Sequence, residues 1–152
     1  MSEENKPKED QLKENVKIET KENVKIETIE SDIFVGDEDM FDVKVEYYKE
    51  DGKLYVKGID DDFDLKKKFK EFKVYFKYPS FIDAVSIHQF AKIGNDEIEI
   101  MDMMKLEDAR VRVLLRKWDL NKKISSLDSM HVKFIRAIKN GVRETIGMDG
   151  IL

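Results

Sequence analysis

Residues 72–85 read FKVYFKYPSFIDAV, and the hydrophobic period changes inside them. Phe72, Val74, Phe76 and Tyr78 fall on one face, while Lys73, Tyr75 and Lys77 fall on the other. That two-residue period marks a half-buried strand. Pro79 ends it, since proline lacks a ladder donor. Ser80 is an N-cap residue type, and Asp83 stands three residues on, near the positive end of a helix. Phe81, Ala84, Val85, His88 and Ala91 then share a helical face.

Upstream, Phe41, Val43, Val45 and Tyr47 alternate with charged residues. Glu50-Asp51-Gly52 is a turn signal, with Gly suited to positive φ, and Leu54-Tyr55-Val56 follows. Residues 41–58 are therefore expected to form a β-hairpin. Downstream, Gly94-Asn95 stops the first helix. Met101, Met104, Val111, Leu114, Leu115 and Trp118 predict a second helix over about 97–118. A connector over 121–126 leads to a third helix, capped by Ser126 or Asp128, with a stripe of Phe134, Ile135, Ile138, Val142 and Ile146. Gly147 stops it. Strands first and helices after predict an α+β domain over 41–152. Its expected form is a small antiparallel sheet of about three strands (41–78), then a three-helix bundle (80–147).

The chain has 152 residues, a net charge of −5, 41% hydrophobic and 40% charged residues, and no cysteine. Lacking cysteine, it has no disulfides, thiolate metal sites or Cys nucleophiles. Its apolar runs are far shorter than the ~20 residues that span a bilayer. Met-Ser-Glu-Glu-Asn lacks the basic-then-apolar order of a signal peptide. A cytoplasmic setting is expected, with no membrane partner.

Residues 1–40 carry six Lys against thirteen acids, net −7, and are expected to be a disordered acidic tail. The octapeptide KENVKIET occupies 13–20 and again 21–28. It is either a duplication in a tolerant segment or a doubled motif able to add a strand to a partner's sheet edge. Ile33-Phe34-Val35-Gly36 is apolar enough to dock as an edge strand.

Few residue sets suggest chemistry. Asp60, Asp61, Asp62 and Asp64 cluster, but lack the glycine and distal Glu of a calcium loop in register. His88 and His131 are the only histidines. His88 reads as a structural residue and His131 as a surface or capping one. No phosphate-binding glycine motif is present. Catalytic residues, metal and cofactors are therefore expected to be none. Residues 105–143 hold eleven Lys or Arg against four acids, net +7. A nucleic-acid interface on Arg110, Arg112, Arg116, Lys133, Arg136 and Lys139 is one reading, and a solvated helical face another. A third has the −7 tail folding back on this +7 region, so that deleting 1–40 raises nucleic-acid affinity.

From Phe72 to Leu120 the order is an aromatic strand, a Tyr-Pro-Ser-Phe helix opening, and a helix closing on Val-Leu-Leu-Arg-Lys-Trp-Asp-Leu. A polar connector, Leu127 and an amphipathic helix follow. This resembles the small tail-assembly proteins of tailed bacteriophages, tail assembly chaperones among them. The resemblance covers residues 72–146, its motif being Leu115–Leu120. It implies a non-enzymatic protein of the infected cell's cytoplasm that binds an aggregation-prone tail component such as the tape-measure protein. Self-association and retention in the virion as a structural piece are the alternatives it leaves. The expected partner groove is Met101, Met103, Met104, Val111 and Trp118.

Overall fold

The computed structural model describes residues 29–91 and 103–151. The chain divides into two units at Gly36/Asp37. Residues 1–28, with the tandem repeat, lie outside the described residues. In the first unit, 29–33 form a helical turn, and the Phe34 N–H donates to the Glu30 carbonyl at 2.8 Å. The strand expected at 33–36 is thus not formed there. A lone strand leaves its amides unpaired, whereas a helical turn closes a bond locally.

The second unit holds a four-stranded antiparallel sheet: β1 (Met40–Glu50), β2 (Lys53–Val56), β3 (Lys70–Lys77) and β4 (Leu115–Trp118), in the order β2-β1-β3-β4. Asp51 and Gly52, at φ of 51° and 78°, make the tight hairpin turn between β1 and β2. Alternation sets the register: Phe41 faces Phe76, Val43 faces Val74, and Val45 faces Phe72. These side chains form the inner face of the sheet and are buried.

Among the described residues three helices follow β3: α1 (Phe81–Ala91), α2 (Met103–Leu114) and α3 (Val132–Ile146), with a 3₁₀ turn at Ile124–Ser129. The helices do not form a separate bundle. α1 packs on α2, while α3 lies on β1 and β2, and helices and inner face share one core. The closeness of α3 to β1 is permitted by Gly141, where an added Cβ would sit 2.3 Å from Val43 Cγ1.

The fourth strand corrects the expected second helix. That helix ends at Leu114, and Leu115–Trp118 pair with β3, with a register shift at Tyr75/Phe76. Leu115 and Trp118 suit a helical spacing and a bulged strand alike. The exposed amides of β3 decide for the strand. The third helix also begins later than expected, at Val132, where the His131 Nδ1 accepts the Lys133 N–H at 3.1 Å.

The first helix starts at the expected cap. The Ser80 N–H and hydroxyl donate to Asp83 Oδ2 at 3.0 and 2.8 Å, and the Asp83 N–H returns to Ser80 Oγ at 3.4 Å. Lys77 Nζ donates to the same carboxylate at 3.1 Å. Burial pushes the Asp83 carboxyl up, but these donors outweigh it and hold it below the usual carboxylate range. The anchor also turns the helix: Asp83, Ile87 and Ala91 face inward, and Phe81, expected inside, is 85% exposed.

Candidate functional site

At the end of the inner face, Tyr47, Phe72 and Trp118 meet the first turn of α3 and the connector before it. The result is a cleft of about 370 Å³, lined also by Leu120, Met130 and Phe134. Its rings stand edge to face: Tyr47–Phe134 at 5.0 Å and 76°, Phe72–Phe134 at 5.6 Å and 77°, Tyr47–Phe72 at 6.2 Å and 66°. Edge-to-face pairs are a favoured aromatic geometry, so this wall is set before any ligand arrives. Trp118 Nε1 donates to the Lys122 carbonyl at 2.6 Å, which fixes the indole and folds the connector against it.

Asn121, Lys122, Ser126, Ser129 and His131 add polar groups to the lining. His131 uses Nδ1 to cap α3, and its ring lies 6.2 Å from that of Phe134. Asp119, just outside, accepts the Lys73 N–H at 3.2 Å and extends the β3–β4 ladder. The rim is positive. Lys122 lines the cleft, Lys123 follows it, and Lys49 and Lys70 share a strand face with Tyr47 and Phe72. All four are exposed, and none forms an ion pair among the described residues.

The expected groove residues are not brought together. Met101 lies outside the described residues. Met103 and Met104 begin α2 and are exposed, Val111 is buried in the core, and Trp118 lies beyond the other end of α2. Only Trp118 lines the cleft. Tyr47, Phe72 and Phe134 were legible as apolar positions, but nothing in a period shows that a helix end leaves a wall open.

Most of the expected basic set is committed internally. Arg110 is 1% exposed and donates to the carbonyls of Gly147 and Asp149 at 2.6 and 3.2 Å. Burial pulls its pKa below the ordinary arginine value. Arg112 pairs with Asp128, and Lys139 with Asp108. Arg116 donates to the carbonyls of Val113 and Leu115 at 2.8 and 3.2 Å. Lys133 bridges the Leu54 carbonyl and Asp60 Oδ1, both at 2.8 Å. Arg143 meets Glu107 at 2.6 Å. Arg136 alone of the expected six is exposed with neither an ion pair nor a hydrogen bond shown.

Comparison with protein-family models, with curated proteins and with solved structures finds no match to this chain.

The acidic stretch 60–64 has a folding role. Asp60 Oδ2 accepts the Val56 N–H at 2.8 Å, and the Asp64 N–H donates to the Tyr48 hydroxyl at 3.0 Å. These bonds hold residues 57–69 over a second aromatic cluster on the outer face, where Tyr48 stacks on Tyr55 and meets Phe63 at a tilt, both at 4.9 Å. Burial pushes the Asp60 carboxyl up, but the Lys133 ammonium and Val56 N–H bring it below the usual range. Among the described residues no group of three or more His, Asp or Glu is placed to hold a metal ion. No described helix is long and apolar enough to cross a membrane.

Proposed function

We propose that the chain is a non-enzymatic protein-binding module whose aromatic cleft receives a bulky apolar side chain of another protein. The observation that carries this reading is the cleft wall: interlocked rings, an indole N–H already satisfied, and a histidine committed to a helix cap. Such a wall gains from contact with an apolar anchor and offers little to a reaction. The resemblance to phage tail-assembly proteins suggests the setting. There the partner is a tail component such as the tape-measure protein, met in the cytoplasm of an infected cell.

Co-expression with a tape-measure protein tests this. The native chain is expected to raise the partner's soluble fraction, and Trp118→Ala or Phe134→Ala to abolish the effect in chains that still fold. Unchanged partner solubility with the native chain rejects the chaperone reading. Mass spectrometry of purified virions separates a departing chaperone from a retained structural piece.

The nucleic-acid alternative is weaker on this geometry. Edge-on rings give a base no parallel slot, and four of the helical basic side chains, Arg112, Lys133, Lys139 and Arg143, are paired with Asp128, Asp60, Asp108 and Glu107. A salt series on DNA binding decides: a steep log–log slope favours it, and no binding at ~50 mM salt removes it.

A further inference from the structure

We propose that the cleft at Trp118 is also occupied in trans, by residues 29–36 of a second copy with Phe34 as the anchor. The proposal rests on the reading of this cleft as a protein-docking site. Residues 29–36 present three large apolar side chains to solvent: Ile29 at 49%, Ile33 at 66% and Phe34 at 70% exposure. The helical turn at 29–33 sets Ile29 and Ile33 four residues apart on one side, the spacing by which short helical ligands enter grooves.

Charge selects the match. Residues 29–40 hold five acids (Glu30, Asp32, Asp37, Glu38 and Asp39) and no Lys or Arg. The cleft is lined mainly by apolar side chains and by Lys122; Lys123 follows in the chain, Lys49 and Lys70 share the strand face of Tyr47 and Phe72, and no carboxylate pairs with any of the four among the described residues. An acidic segment with exposed apolar side chains thus stands on the same chain as an apolar cleft with a basic rim. About 370 Å³ admits one aromatic ring and a neighbouring aliphatic side chain. Segment and cleft are different surfaces, so the contact is head-to-tail: it propagates along a row of copies or closes into a ring. A partner's apolar anchor then competes with Phe34, and binding the partner takes the rows apart.

Sedimentation velocity of the full chain over a concentration series is the test, at about 50 mM and about 500 mM salt. The native chain is expected to grow in mass with concentration at the lower salt and much less at the higher. Two variants each lose this association about tenfold or more: Phe34→Ala removes the anchor, and Lys122→Glu with Lys123→Glu reverses the rim. All three positions are exposed, so the fold is kept, and Lys122→Glu retains the carbonyl that Trp118 uses. Mixed together, the two variants restore one good segment and one good cleft, and 1:1 heterodimers form.

A native chain that stays monomeric overturns the proposal, as does a Phe34→Ala chain that associates like the native one. Failure of the mixed variants to combine overturns it too. Tape-measure binding by Phe34→Ala is read separately. Retained partner binding with lost self-association supports the proposal, and a native monomer that still binds the partner sinks it while leaving the docking reading intact.

Discussion

Gly141→Ala is the sharpest perturbation of the fold that builds the cleft. In an exposed helix the change is favourable by roughly 1 kcal/mol, because alanine restricts the unfolded backbone. Here the new Cβ would lie 2.3 Å from Val43 Cγ1, 3.1 Å from Cγ2 and 3.2 Å from Cβ. Rotating the valine moves its methyls but not its Cβ, and β1 is held there by its pairing with β3, Val43 facing Val74. The overlap must be relieved by moving α3, at an overpacking cost near the upper part of ~1–3 kcal/mol. The net expectation is a loss of about 1–2 kcal/mol, seen as a Tm lower by roughly 5–10 °C in a domain of this size. Guanidinium unfolding of the native chain, Gly141→Ala, Val43→Ala and the double variant measures it. The double variant should lose at least about 1 kcal/mol less than the two single losses together, since its cavity accepts the new methyl. A Gly141→Ala chain as stable as the native one would refute the contact between α3 and β1.

Arg110→Met removes two hydrogen bonds to the C-terminal turn and leaves the Gly147 and Asp149 carbonyls without that donor. A loss of about 2–4 kcal/mol in urea unfolding is expected. Asp83 and Asp60 both have carboxyls held below their unfolded values, so each stabilises the fold above a pH of about 4. Their contribution is lost as pH falls through the lower folded values. Asp83→Asn should flatten this acid limb of the stability curve, as read by thermal unfolding between about pH 2 and 6.

Where alternation or stripes had no competitor, the sequence was sufficient. The hairpin over 41–58 and the strand ending at Pro79 stand where their periods put them, and Ser80 caps α1 through Asp83. The helical stripe of Ile138, Val142 and Ile146 is buried as its spacing requires. The departures have tertiary causes. Leu115–Trp118 pair with β3 because that strand would otherwise keep a bare edge, a demand no local pattern carries. Phe81 faces outward because Asp83 is bound to Lys77, a contact across strand and helix. Of the eleven basic residues over 105–143, four form ion pairs, Lys133 with Asp60 from outside the stretch, and Arg110 is buried on two carbonyls, contacts that no local pattern carries. The cleft arises because Tyr47, Phe72 and Phe134 each sit near the end of their own element, where the core thins.

Trp118 is the chain's single tryptophan, so its fluorescence reports on the cleft alone. The most direct measurement is acrylamide quenching of that emission, in the free monomer and in a complex co-purified with a tape-measure protein that lacks tryptophan. A blue-shifted emission is expected in the complex, with a quenching constant reduced by about twofold or more, as an apolar anchor displaces water from the indole. A stable complex in which Trp118 is quenched as readily as in the free chain would contradict it.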